Sequence, residues 1–190
     1  MSVVQKIEEP DNDDLRQMYQ AFEAGGMGLG VLNIFKVAGH NPQLLRNWAR
    51  MGNTMLFGGL LLSDRVRELV ILRIGQLCGS EYEFGQHIRI AKAAGISYEE
   101  IAALQDYHES ELFSEMEKAA LAYTDASHRL DPDCADHARS LKRWLSDREL
   151  VELSFCIGHW GMVARVLVPL EVELDDSLAA QLPEGWREWM

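Results

Sequence analysis

One short pattern recurs along this chain and restricts its fold more than any other feature. A serine followed three positions later by a glutamate stands before an apolar run at Ser80/Glu83, Ser97/Glu100, Ser114/Glu117 and Ser146/Glu149. In a capping box the serine accepts a hydrogen bond from the N3 backbone N–H, and the glutamate reaches back to the N-cap N–H. The pattern therefore predicts a series of helix starts from residue 80 onwards.

Apolar residues at helical spacing extend this prediction along the chain. They occupy 66–77, 88–94, 116–123 and 150–168. The acidic segment 10–14 opens a further helix that ends at Gly25-Gly26, and Asn41-Pro42 opens another with proline in its first turn. Because Pro169 favours a helix end over a strand, we expect an all-α fold, a single-domain helical bundle over residues 1–190. Gly25, Gly26, Gly28 and Gly30 predict a flexible loop that could cover a pocket.

Composition narrows the classes of partner and compartment. The net charge is -12 and the pI is about 4.9, whereas nucleic acids and anionic membranes attract basic patches. We therefore expect no nucleic acid and no membrane as partners. The chain has no run of roughly 20 apolar residues and no secretory signal pattern at its start. A soluble, cytoplasmic protein is the expectation.

The cysteines do not suggest a metal site or a disulfide framework. Cys78, Cys134 and Cys156 are far apart and odd in number, so we expect three buried free thiols. Histidines and carboxylates also lack the paired spacings of a metal centre. We expect neither a metal nor a cofactor.

The segment 78–87 carries the best candidate chemistry. On a helix, Glu83 lies one turn before His87, Ser80 is almost in line with His87, and Cys78 lies roughly opposite. An i,i+4 hydrogen bond from Glu83 is expected to orient the His87 ring and raise its basicity. The alternative is purely structural: Ser80 and Glu83 would form a capping box and nothing more.

Two stretches around this segment resemble the signature of the carboxymuconolactone decarboxylase family. They are 65–73 and 78–87, with further similarity at 33–42, 57–60, 94–97 and 150–159, so the resemblance covers a core of about 30–175. The family includes alkylhydroperoxidase D, whose redox branch has a glutamate, a Cys-x-x-Cys pair and a histidine. The matching residues here are Glu68, then Ser80 and Glu83, then His87. Both redox positions therefore lack sulfur.

This resemblance implies a lyase of aromatic compound catabolism that uses cofactor-free acid–base chemistry on a small oxygenated carboxylate or lactone. His87 would move the proton, and Glu83 and Glu68 would set its protonation state. The helix N-terminus near Ser80, with Tyr82, would stabilise an enolate-like anion. His159 and Trp160 would close the pocket. A carboxylate substrate would need a cation, and the candidates are Arg65, Arg67, Arg73 and Arg89.

The resemblance also implies an all-helical homo-oligomer, a trimer or a hexamer. Trp48, Met51, Met55 and Phe57 lie on amphipathic stretches that leave room for an interface. Two other functions stay open. A hydroperoxide reductase like alkylhydroperoxidase D is disfavoured by Ser80 and Glu83, because that chemistry needs two thiols. A non-catalytic oligomeric binding protein would use the same residues only as helix caps.

Overall fold

The structure, a computed structural model, describes residues 2–25 and 29–190, and the regular secondary structure of these residues is helical throughout. The α-helices are α1 (Asp13–Gly25), α2 (Asn33–Ala38), α3 (Pro42–Phe57), α4 (Asp64–Cys78), α5 (Glu81–Ala93), α6 (Tyr98–Ala103), α7 (Glu115–Arg129), α8 (Cys134–Leu141), α9 (Asp147–Leu167) and α10 (Asp176–Ala179). Two 3-10 turns cover Leu104–Asp106 and Trp186–Trp189. The predicted all-α fold is confirmed. Gly26 and Gly28 of the predicted glycine loop lie outside the described residues.

Helix α4 is the centre of the bundle. It packs against α5, α7 and α9, and Leu69, Val70, Ile71 and Leu72 are each at most 1% exposed. A helix that is apolar on nearly every side must be covered on every side. This burial places Glu68, one residue before that run, inside the protein with 0% exposure.

Helix α9 is the one helix of the described residues that is long and apolar enough to cross a membrane by length and composition. Half of its most apolar window is buried inside the protein. It packs against α4, α5 and α7. A core helix of a helical bundle can have the same length and apolar composition as a membrane span. Its end at Leu167 agrees with the prediction from Pro169.

Helix starts follow the predicted caps. Reciprocal capping boxes form at Ser97/Glu100, Ser114/Glu117 and Ser146/Glu149. Asn41 caps α3, where its side chain accepts a hydrogen bond from the Leu44 backbone N–H at 3.1 Å. The Ser80/Glu83 pair is the exception, because only the serine half of the box is present.

A tight turn joins α4 to α5 and positions the candidate site. Gly79 has φ +60°, a left-handed conformation that costs glycine little. The two helices then run close together: a Cβ added at Gly75 would lie 3.1 Å from the Cβ of Phe84. This close approach brings the inner faces of α4 and α5 within hydrogen-bonding distance of each other.

Candidate functional site: an apolar cavity beside α5 and α9

A cavity of about 260 Å³ opens between α3, α5 and α9, with the end of α1 and the start of α2 beside it. This volume is just below the range of about 300–1,000 Å³ that is typical of small-molecule sites. Its walls are mainly aromatic and aliphatic, including Phe22, Phe35, Trp48, Leu56, Trp160 and Leu167. Polar side chains in the wall are few: Asn53, Tyr82, Glu83, Gln86, His87, Arg89 and His159.

Glu83 is the most unusual group in this wall. It lies in the first turn of α5, is 2% exposed, and neither carboxyl oxygen has a hydrogen-bond partner among the described residues. Burial raises the pKa of Glu83 well above its usual value, because an apolar surrounding disfavours the charged form. Burial therefore favours the neutral form of Glu83, and the described residues offer no acceptor to the O–H of that form.

His87 is held from both sides of its ring. Its Nδ1 lies 2.7 Å from Oε2 of Glu68, and its Nε2 lies 2.9 Å from the indole nitrogen of Trp160. Because an indole N–H can only donate, His87 Nε2 is the acceptor and the ring proton resides on Nδ1. The other oxygen of Glu68 accepts from Arg67 Nε at 2.9 Å. The expectation of a Glu83–His87 hydrogen bond was wrong, since the two ring nitrogens pair with Glu68 and Trp160.

The two hydroxyls expected to stabilise an anion are also engaged. Tyr82 lines the cavity, but its hydroxyl donates to Asp175 at 2.8 Å and accepts from the Ile34 backbone N–H at 3.3 Å. Burial and then the charge of Asp175 raise the pKa of Tyr82 well above its usual value. Ser80 caps α5 by accepting from the Glu83 N–H at 3.4 Å. The Tyr82 hydroxyl therefore has no free donor for a ligand, and Ser80 is not among the residues that line the cavity.

His159 and Trp160, both on α9, line the cavity. Nδ1 of His159 has no hydrogen-bond partner among the described residues. Burial, and after it the nearby His87, lower the pKa of His159 to about 4. The imidazole is therefore uncharged at neutral pH, and it adds polarity to the wall without adding charge.

Three of the four candidate arginines already pair with carboxylates of the protein. Arg65 pairs with Glu100 at 2.5 Å and with Glu117 at 2.6 Å, Arg67 pairs with Glu68 at 2.9 Å, and Arg73 pairs with Asp125 at 2.7 Å. The expectation that Arg65, Arg67 or Arg73 could bind a substrate carboxylate was wrong, because these guanidinium groups already hold carboxylates.

Arg89 is the one of the four candidate arginines that lines the cavity, and its buried Nε has no hydrogen-bond partner among the described residues. Trp48, which the sequence suggested for an interface, also lines the cavity, and its indole N–H is likewise unpartnered. Met55 from the same set is buried in the core. Arg89 and Trp48 thus provide two unused donors in the wall.

The three cysteines do not line this cavity. Cys156 is buried, but Cys78 and Cys134 are only half-buried, so the expectation of three buried thiols holds for Cys156 alone. Cys78 lines a separate cavity with His128 and Arg165, and its Sγ is 4.0 Å from the His128 ring nitrogens. Burial raises the pKa of Cys78. Residues 2–25 and 29–190 contain no group of three or more metal-ligating side chains.

Comparison with known proteins gives similarities in sequence and in fold. Residues 42–126 match the model of the carboxymuconolactone decarboxylase family. The uncharacterised protein YnjA of Escherichia coli (strain K12) is 33% identical over 106 residues, which span 55% of this chain and 58% of that protein. The match therefore covers little more than half of either sequence.

Two solved structures share the fold along nearly the whole chain. An uncharacterised peroxidase-related protein from Silicibacter sp. TM1040 superposes with a TM-score of 0.79 at 15% identity, over 93% of each chain. A variant of the debrominase Bmp8 in complex with 2,3,4-tribromopyrrole superposes with a TM-score of 0.76 at 19% identity, over 95% of this chain and 97% of that chain. At these identities the likeness is one of fold.

Proposed function

We propose that this chain, whose residues 42–126 match the carboxymuconolactone decarboxylase family model, transfers a proton to a small, largely apolar ring acid in the cavity. Glu83 is the proton donor. The observation that carries the proposal is a carboxyl group in the cavity wall that is 2% exposed and has no hydrogen-bond partner among the described residues. Burial that raises the pKa of a glutamate is a known way to hold a general acid protonated near neutral pH.

Decarboxylation of an unsaturated lactone acid suits this arrangement best. Breaking the bond to the carboxylate carbon releases carbon dioxide and leaves the electron pair on the ring as an enolate-like anion. The Glu83 O–H then donates its proton to carbon, and the resulting carboxylate recovers a proton from water. Glu83 lies in the first turn of α5, where the helix dipole favours its transient negative charge by about 0.3–1 kcal/mol.

The remaining wall supports binding of an oxygenated ring. Arg89 and the Trp48 indole N–H are free donors for acceptor oxygens of the substrate, and the aromatic walls suit a flat apolar body. The debrominase neighbour, whose fold this chain shares, is in complex with a brominated pyrrole. That complex supports the size and shape of the proposed ligand and leaves the reaction open.

His87 is a positioning residue in this proposal. Its Nε2 accepts the Trp160 N–H at 2.9 Å, so the nitrogen that faces away from Glu68 is occupied. The chain of hydrogen bonds from Arg67 through Glu68 and His87 to Trp160 fixes the indole in the cavity wall. A proton held by His87 would first require this indole to move.

The two other functions receive less support. A hydroperoxide reductase needs a thiolate and a resolving thiol, but no cysteine lines the main cavity among the described residues, and the pKa of Cys78 is raised. A binding protein that uses Glu83 only as a cap gains nothing from an unpaired buried carboxyl, which costs stability. Such a cost is typical of residues retained for activity.

The test is turnover of a panel of small unsaturated lactone acids and their methyl esters. Carbon dioxide release and deuterium incorporation from D₂O report the two halves of the reaction. We expect the acids to be preferred, and Glu83→Gln to lower kcat by roughly 10²-fold or more. Glu149→Gln, in an exposed capping box, and Cys78→Ala should retain wild-type turnover. Wild-type turnover by Glu83→Gln would contradict the proposal.

The pH dependence separates the roles of Glu83 and His87. Since the donor must be protonated, wild-type kcat should fall as pH rises through the raised pKa of Glu83. His87→Ala should lower kcat through a misplaced Trp160 while retaining this falling limb. Loss of the limb in His87→Ala would assign the titrating acid to His87.

A further inference from the structure

One face of α9, whose residues are not among those that line the cavity, is apolar and uncovered. Val151 is 55% exposed, Phe155 57%, Met162 44% and Val166 40%. At 100° per residue these four side chains fall within an arc of about 60°, so they form one continuous stripe along the helix. Isolated exposed apolar residues are normal, but a contiguous stripe of this length marks a contact surface.

The order of residues in the stripe is symmetric about its centre. Met162 is as far after the midpoint between Gly158 and His159 as Phe155 is before it, and Val166 mirrors Val151 in the same way. In an antiparallel pair of identical helices crossing at this midpoint, Phe155 would face the Met162 of the second copy, and Val151 would face its Val166. Every apolar side chain of the stripe then has an apolar partner, as an isologous interface requires.

The centre of the stripe permits a close crossing. Gly158 is exposed, and a Cβ added there would meet no atom within 4 Å. Absence of a side chain at the crossing lets two helices approach to the short end of the usual interaxial distance of about 8–10 Å. The larger side chains on either side, Phe155 and Met162, can then pack around the crossing.

Further apolar surface flanks one end of the stripe. The loop before α4 lies along the first turns of α9, because the Glu152 carboxylate accepts the Leu61 and Leu62 backbone N–H groups at 2.8 Å each. In this loop Leu61 is 56% exposed. Two-fold symmetry would place such a loop at each end of the helix pair, which extends the contact towards the roughly 800 Å² per subunit of a stable interface.

From this surface we infer that α9 pairs antiparallel with α9 of a second copy of this chain, around a two-fold axis between Gly158 and His159. The inference is independent of the proposed proton transfer, since the stripe lies outside the cavity. A two-fold pair requires an even number of subunits. Of the assemblies that the family resemblance implies, it is compatible with the hexamer and not with the trimer.

Sedimentation of the full chain with matched variants tests the pairing. Wild type should sediment with an even number of 21.5 kDa chains, and Phe155→Glu should halve that number or reduce it further. Adding Met162→Lys to Phe155→Glu should restore assembly, because the two substituted positions face each other only between antiparallel copies. Leu112→Glu, at another exposed leucine, should change nothing. A monomeric or trimeric wild type, or assembly unaffected by Phe155→Glu, would overturn the inference.

A disulfide test fixes the axis without a destabilising charge. In a Cys78→Ala, Cys134→Ala background, Gly158→Cys should form an oxidised dimer, since Cα atoms at a close crossing lie roughly 5 Å apart, within disulfide range. Phe155→Cys should not, because seven residues separate it from its symmetry mate along the axis, about 10 Å. Crosslinking by Phe155→Cys alone would contradict the antiparallel arrangement. A second result would also contradict the inference: wild type floats with neutral phosphatidylcholine vesicles and Phe155→Glu does not. The stripe would then be a membrane-binding surface.

Discussion

The junction between α4 and α5 and the junction between α5 and α6 begin in the same way and end differently. Each preceding helix stops at a left-handed glycine, Gly79 with φ +60° and Gly95 with φ +84°. In each case the residue after the glycine donates its N–H back into the helix: Ser80 to Gly75 O at 2.9 Å, and Ile96 to Ala91 O at 3.0 Å. Both are Schellman-type helix ends.

The two junctions differ by one residue between the glycine and the serine, and this difference determines whether the glutamate can form a capping box. At the second junction Ile96 makes the returning bond, so the N–H of the following Ser97 is free and donates to Glu100 at 2.7 Å. At the first junction the serine itself makes that bond. Because the Ser80 N–H is already used, Glu83 has no cap donor to return to, and its carboxyl group lies in the cavity wall. The same four-residue pattern thus yields a structural glutamate in one place and a candidate acid in the other.

The electrostatic outcome is opposite at the two kinds of site. Burial raises the pKa of Glu100, but the hydrogen bonds from Arg65 and Ser97 outweigh it, so the pKa is lowered. Burial of Glu117 is likewise outweighed, by Ser114 and Arg65, and its pKa is lowered. For Glu83 only burial acts, and the pKa is raised. At equivalent helix positions, the surroundings therefore favour the ionised glutamate in the boxes and the neutral glutamate in the cavity.

The largest expected effect is on the free energy of unfolding, which Glu83→Gln should raise and Glu117→Gln should lower at neutral pH. Unfolded Glu83 ionises above pH about 4.3 while the folded form stays neutral, so the wild type loses stability as pH rises towards the folded pKa. Glu83→Gln removes this loss, and its advantage over wild type should grow by up to about 1.4 kcal/mol per pH unit until the folded pKa is reached. Urea unfolding between pH 4 and pH 8 measures it.

Glu117→Gln is the matched control. Because the folded pKa of Glu117 is lowered, its contribution is present above pH about 4.3 and is lost as pH falls through the folded pKa. The variant should be less stable than wild type at neutral pH by about 2 kcal/mol, with a deficit that shrinks in acid. The comparison fails if the two variants shift stability in the same direction at pH 7.

Local patterns predicted the helices, since caps and apolar periodicity act within a few residues. They could not distinguish Arg89 from Arg65 and Arg73, because the carboxylates that occupy the latter two lie 35 to 52 residues away in sequence. The Trp160 partner of His87 lies 73 residues away. Glycine directly before Ser80 was a visible signal that its N–H would be taken. This signal could be used only once the end of α4 at Gly79 was known, because a helix that ends there uses the Ser80 N–H.

The smallest expected effect compares the serines. Ser114 makes two side-chain bonds, donating to Glu117 Oε2 at 2.7 Å and accepting from the Glu117 N–H at 3.3 Å. Ser80 makes only the second kind, at 3.4 Å. Ser114→Ala should cost about 1–2 kcal/mol of unfolding free energy and Ser80→Ala about 0.5 kcal/mol, both within the range of N-cap losses. A larger loss for Ser80→Ala would mean that its cap is not the weaker one.

The central claim is that the Glu83 carboxyl is neutral at neutral pH, and infrared spectroscopy tests it most directly. A difference spectrum between wild type and Glu83→Gln at pH 7 isolates the C=O stretch of this group, with Glu117→Gln as the control for an ionised glutamate. The account predicts a protonated-carboxyl band that is present in wild type and in Glu117→Gln and absent in Glu83→Gln. A spectrum in which Glu83→Gln removes only carboxylate bands at pH 7 would contradict it.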